Sequence, residues 1–175
     1  MGLARLYPEK NIMGIDIKGA RIWKGAKTAH EEGLENVAFL RTRIDFINSF
    51  FGRDEVDEVW VTFPDPQEKK RRRKKRLTGD IFLNYYRQFL KDGAYINLKT
   101  DNLGLYTYTL ELAKFNGLEI DWHSDDLDKS GRGDETVNIQ TYYESRFRAE
   151  GIPIKFIRFR LPSEKPIKEL PDESE

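Results

Sequence analysis

The chain has no cysteine and only two histidines, His30 and His123, which stand far apart and have no ligand partner at metal-binding spacing. Disulfide frameworks, thiol catalysis and a tetrahedral zinc site are therefore excluded as readings. Nor does any Ser-His-Asp arrangement suggest itself. No apolar run approaches the roughly eighteen residues that a membrane helix needs. The opening MGLARLYPEKN lacks the apolar core and small-residue cleavage site of a secretory leader, so the cytoplasm is the expected location. Glycine-rich phosphate loops of the GxGxxG or GxxxxGK[ST] kind are missing too, and Gly131-Arg-Gly133 lies in a loop. Net charge is also absent, with thirty basic residues against thirty acidic ones, which excludes a uniformly basic nucleic-acid binder.

What is present is a globular composition, 38% hydrophobic and 13% aromatic, in a chain of one domain's size. Short β-branched or aromatic runs bounded by turn residues predict strands at 11–17, 37–40, 56–62, 94–98, 118–122 and 154–159. Helical spacing separates most of them. Ile22, Ala26 and Ala29 mark one helix; Phe46 to Phe51 a short one; Phe82, Tyr85, Tyr86, Phe89 and Leu90 another; and Leu105, Tyr108, Leu112 and Phe115 a third. Thr78 or Asp80 is expected to cap the second long helix, and Gly93 and Gly117 to end helices. This alternation predicts an α/β domain over 1–162, with a mostly parallel sheet covered by helices on both faces. A polar stretch, 124–138, reads as a loop, and 163–175 as an acidic tail with little to bury.

Ligands of such sheets bind outside the carboxyl ends of the strands, where this chain places an acid three times: Asp16, Asp65 and Asp101. Asp16 suits hydrogen bonds from ribose hydroxyls, or equally a cap for the helix that follows. Asp65 stands between two prolines, either as a turn former or as a carboxylate held on a stiff platform. Asp101 suits a ligand or the cap of the helix starting near Leu103. Charge is unevenly spread: Lys69, Lys70, Arg71, Arg72, Arg73, Lys74, Lys75 and Arg76 follow the third strand without interruption. Such a run is a solvated face or a surface for phosphates, and its position beside a strand end favours phosphates.

Taken together, "GIDIKGARIWKGAK", "FPDPQEKKRRRKKRL", "LKTDN" and "TYYESRF" resemble, in order and spacing, the bacterial tRNA (guanine-N7-)-methyltransferase family. The resemblance implies a Rossmann-like fold that uses S-adenosylmethionine to methylate guanine 46 in the tRNA variable loop. It implies a cofactor contact for Asp16, and for Asp65 a place at both cofactor and guanine. Lys69, Asp101, Thr141, Tyr143 and Glu144 match the family's substrate contacts, and the rest of the basic run would hold tRNA phosphates. Where the family carries an acid at the adenine, the count falls on Arg43, so that contact passes to the backbone there or to Asp45. Gln67 and Glu68 replace the family's Trp and Pro. The family's first strand and glycine-rich turn would precede GLARLYPEKN. The chain is expected to lack them and to bind the cofactor poorly by itself. The alternative is a non-catalytic RNA-binding module built on the basic run. No metal and no membrane partner is expected.

Overall fold

Six strands form two separate sheets in the computed structural model, which describes residues 1–132 and 135–171. Residues 133–134 of the polar stretch and 172–175 of the acidic tail lie outside the described residues. The chain divides into two compact units, the first made of residues 1–50 with 135–141 and the second of 51–132 with 142–171.

In the first unit β1 (Ile12–Asp16) and β2 (Val37–Arg41) are parallel, with Ile12 opposite Val37 and Asp16 opposite Arg41. Helix α1 (Gly2–Leu6) precedes them and α2 (Gly19–Glu31) joins them. α2 packs closely because it presents a glycine to the sheet: a Cβ on Gly25 would lie 2.5 Å from the Phe39 ring. The helix ends where Gly33, at φ +64°, lets the amides of Gly33 and Leu34 return to the carbonyls of His30 and Ala29. A 3-10 turn, Ile44–Ser49, buries Ile47 where a short helix was expected at Phe46 to Phe51. A further helical turn, numbered α5 (Glu135–Asn138), lies in what reads as loop, and Tyr7 and Thr136 hydroxyls meet at 2.5 Å.

The second unit carries β3 (Val56–Thr62), β4 (Leu90–Thr100), β5 (Ile120–Ser124) and β6 (Lys155–Leu161) in the order β3-β4-β6-β5. β3 and β4 are parallel, whereas β6 is antiparallel to both its neighbours. The parallel expectation thus holds for the strands that carry the acids, and β6 is the exception. Its inner face sets Ile157 and Phe159 against Leu98 and Ile96, all with no exposed surface, beneath Leu105 and Leu112 of α4 (Leu103–Phe115). Burying each such side chain contributes roughly 1.5–3 kcal/mol, so this layer is the main stabilising core.

Three local readings change. Helix α3 (Asp80–Tyr86) stops before Phe89 and Leu90, and Leu90 starts β4 instead. Gly93, at φ +67°, sits inside β4, where two steps along β3 (Val56 to Glu58) oppose five along β4 (Leu90 to Tyr95). A left-handed glycine serves a bulge as readily as a helix end. Gly79, not Thr78 or Asp80, is the N-cap of α3, and the buried Thr78 hydroxyl bonds that of Thr109 at 2.7 Å. Gly117 does end α4, with the amides of Gly117 and Leu118 bonded to the carbonyls of Lys114 and Ala113. Residues 163–171 are well attached. Ile167 is buried, and the Asn84 and Asn116 side chains accept from the amides of Ile167 and Lys168.

Candidate functional site

At the carboxyl end of β3 the chain turns sharply. Phe63 takes φ +49° and Gln67 φ +50°, both left-handed without being glycine, and between them Pro64, Asp65 and Pro66 form the bend. The Phe63 amide donates to the Lys99 carbonyl at 2.8 Å, which carries the β3–β4 pairing one residue past the strand. Asp65 is exposed, and its Oδ1 accepts from the Gln67 amide at 3.0 Å. The Asp is therefore a turn former, yet only one of its oxygens is used for that. Among the described residues Oδ2 has no partner.

The loop after β4 lies alongside. Asn102, rather than Asp101, caps α4: its Oδ1 accepts from the Leu105 amide at 2.8 Å, while its Nδ2 donates to Glu68 at 2.9 Å. This ties the two loops together and leaves the Asp101 carboxylate without a hydrogen bond or ion pair among the described residues. Lys155 at the start of β6 donates to the Asp101 carbonyl at 3.0 Å and so holds that loop by its backbone.

Helix α6 (Tyr142–Ala149) closes this end of the unit. Its Phe147 ring stacks on Phe63 at 5.8 Å between centroids. Tyr143 is exposed and meets Tyr142 edge to face at 5.7 Å. Glu144 is different. It has no exposed surface, its Oε2 lies 2.7 Å from Lys99 Nζ, and its Oε1 accepts from Arg148 Nε and Nη2 at 3.1 and 3.0 Å. Arg148 also pairs with Asp128. Burial pulls the Lys99 ammonium below its ordinary value, opposed by its hydrogen bond to Glu144. The structure thus places Glu144 inside, as an ion-pair partner, while Asp65 is exposed and the half-buried Asp101 has no side-chain partner among the described residues.

The basic run forms a 3-10 turn, Lys70–Lys75, with no buried residue. It is not uniform. Arg73 pairs with Glu169 at 2.5 Å, and the Arg76 guanidinium lies 4.2 Å from the Tyr108 ring centre. Lys69, Arg71, Arg72, Lys74 and Lys75 are exposed beside Asp65 in sequence, as is Lys70.

In the first unit, Asp16 is the last residue of β1, and Arg43 follows the end of the parallel strand β2 by two residues. Asp16 Oδ1 accepts from the Lys18 amide at 2.8 Å, at the N-cap of α2, and Oδ2 pairs with Arg21 at 3.2 Å. Asp16 thus forms a turn ahead of α2, whose N-cap is Lys18 and has no side-chain cap, and keeps about a quarter of its side chain exposed at 27%. Arg43 is paired with Asp45 at 2.7 Å and lies over Phe46. Thr141 belongs to this unit as well. Among the described residues no helix is long and apolar enough to cross a membrane, and no three side chains form a metal-binding group.

A family model described as a putative methyltransferase matches residues 1–157. The chain is similar to the tRNA (guanine-N(7)-)-methyltransferase of Porphyromonas gingivalis, 51% identical over 92% of this chain and 66% of that protein. The corresponding protein of Christiangramia forsetii is 49% identical over 91% of this chain and 71% of its own length. The chain belongs to the tRNA (guanine-N7-)-methyltransferase family. It spans 66% of the length of the Porphyromonas relative, so most but not all of such a protein is covered. Among solved structures it is similar to the 16S rRNA methyltransferase KamB, with a TM-score of 0.66 at 14% identity, covering 91% of this chain and 80% of that one. At that identity the likeness concerns the fold, which is the Rossmann-like sheet of S-adenosylmethionine-dependent methyltransferases.

Sequence reasoning singled out Asp65, Lys69 and Asp101 but passed over Phe63, Lys99 and Asn102, which fix the loops that carry Asp65 and Asp101, and Arg148, which grips Glu144. A signal for Lys99 existed: it is the one charged residue in the stretch "AYINLKT". Its partner, forty-five positions on, carries no local mark.

Proposed function

We propose that the chain is a cytoplasmic tRNA (guanine(46)-N7)-methyltransferase that uses S-adenosylmethionine as methyl donor. The observation that carries this is Asp65, exposed on a proline-flanked bend at the end of β3, with one carboxylate oxygen unpaired among the described residues. The loop joined to it through Asn102 and Glu68 carries Asp101, and an exposed run of cations follows Asp65 closely in sequence. Two acids for a base beside cations for its phosphates suit an RNA substrate better than a small molecule.

When bound, S-adenosylmethionine supplies a methyl group on a positively charged sulfur. Asp16, at a strand end, offers carboxylate oxygens to ribose hydroxyls, and the backbone at Arg43 or the Asp45 carboxylate serves the adenine side. The carboxylates there suit hydroxyl and amino donors, so the residues present fit the ribose and adenine parts of the group. Guanine N7 presents its lone pair in the ring plane and has no proton to lose, so no general base is required. The work left to the protein is orientation and electrostatics. Asp65 and Asp101 accept hydrogen bonds from the guanine N–H groups and favour the positive charge that the base acquires. Tyr143 offers an aromatic face to a base that has left its stack. Lys69 and the outward cations take phosphates.

The reading is tested by incubating the chain with tRNA and labelled S-adenosylmethionine and analysing nucleosides by mass spectrometry. Labelled 7-methylguanosine supports it. Salt-dependent tRNA binding without that product supports the non-catalytic RNA-binding module instead.

A further inference from the structure

A lysine with 2% of its side chain exposed and a glutamate with none are an expensive pair to place in a small domain. For stability alone, two apolar side chains of the same volume serve as well or better, because both charges lose water. What the pair adds is orientation. The Glu144 carboxylate is gripped on one oxygen by Lys99 and on the other by two nitrogens of Arg148, which leaves α6 little freedom to rotate or slide.

That rigidity is transmitted to the bend. Three residues along α6 from Glu144, Phe147 stacks on Phe63, and Phe63 is bonded through its amide to the carbonyl of Lys99 itself. Lys99, Glu144, Phe147 and Phe63 therefore form a closed circuit, with a backbone hydrogen bond and an ion pair both starting at Lys99. Phe63 needs such a circuit, since a left-handed aromatic residue persists only where its neighbours over-determine it. Asp65 is two residues further on.

We propose that Lys99 is the positioning residue of the site, fixing the Asp65 bend through its carbonyl and, through the buried Glu144 carboxylate, fixing the helix that covers it. Glu144 then acts behind the base-facing surface and not on the guanine. The proposal rests on the methyltransferase reading for its kinetic test but not for its structural one.

The decisive variant is Lys99→Met/Glu144→Gln in the full chain, which removes both charges together. Its melting temperature is expected to match or exceed the native one. Hydrogen exchange across 61–65 is expected to quicken about tenfold as the bend loosens. Methyl transfer should lose roughly tenfold to a hundredfold in kcat with KM for tRNA within about twofold, as displacement of a catalytic group does. Lys99→Arg, which keeps a cation there, should recover most of the rate. Native exchange and native kcat in a folded double variant overturn the proposal. Should the double variant not fold, Phe147→Leu breaks the circuit without touching a buried charge. Faster exchange at 61–65 then supports the proposal, and unchanged exchange overturns it. If the native chain transfers no methyl to tRNA, the functional reading fails while hydrogen exchange still decides for or against Lys99.

Discussion

Asn102 bonds in two directions at once: its Oδ1 caps α4 at the Leu105 amide, 2.8 Å away, and its Nδ2 reaches Glu68 at 2.9 Å, on the loop that carries Asp65. One amide thus starts a helix and joins two site loops. Asn102→Ala should cost about 1 kcal/mol, the usual worth of an N-cap. Asn102→Asp keeps the cap acceptor but sets a carboxylate against Glu68, so it should retain stability while loosening the loop. Urea unfolding of both variants measures the first effect, and proteolysis after Lys69 or Lys70 reads the second. Equal stability losses in the two variants would falsify the division of labour.

That residue also shows where the sequence stops being legible. In "LKTDN" both Asp101 and Asn102 are good caps, and local chemistry does not choose between them. β3 was readable because "VDEVWVT" is β-branched and bounded by turn residues, and α4 because its apolar spacing runs unbroken into Gly117. The start of β4 was not, because Phe89 and Leu90 continue the helical spacing of α3 while packing as the first step of a strand. The left-handed turns at Phe63 and Gln67 have no marker either, since residues of these types rarely adopt them. Phe63 is held by the Lys99 carbonyl and the Phe147 ring, and Gln67 by the Asp65 carboxylate two residues back. The open carboxylates could be found from strand ends and prolines, whereas the ion pair behind them depends on two segments meeting.

Asp80 gives a pH test. It lies in the first turn of α3, and burial, then the nearby Glu169, raise its pKa, against its backbone hydrogen bonds and Arg73. A carboxyl with a raised folded pKa stabilises the fold while protonated and loses that contribution as pH rises through the folded value. Asp80→Asn is permanently neutral. Its melting temperature relative to the native chain should therefore climb as pH goes from about 3 to 7, since the unfolded carboxyl ionises near 3.9. A flat or falling difference would show that burial does not dominate at this position.

The basic run should divide by function. Lys74 and Lys75 point outward, so each alanine substitution there should weaken tRNA binding and lower the salt slope by roughly 0.7–0.9, with little change in stability. Arg73 is an anchor on Glu169, with 23% of its side chain exposed. Arg73→Ala should lower the melting temperature and leave the slope nearly unaltered. Filter-binding titrations across a series of salt concentrations, paired with thermal melts, separate the two classes. Identical slope changes at Arg73 and Lys75 would mean that all the cations face the RNA.

Asp65→Asn isolates charge from shape. The amide oxygen of asparagine can still accept from the Gln67 amide, so the bend, its prolines and the left-handed Gln67 are preserved. What disappears is the negative charge that the proposed function sets against a base made positive by methylation at N7. Removing one such electrostatic contact typically costs about 10²–10³ in rate. Methylation should fall by that order, with tRNA affinity and melting temperature close to native, because the phosphate contacts lie on the cations beyond. Asp65→Ala removes the turn acceptor as well and should lose stability in addition to rate. If Asn retains full activity and only Ala fails, Asp65 shapes the bend and the charge that matters to the guanine is carried by Asp101.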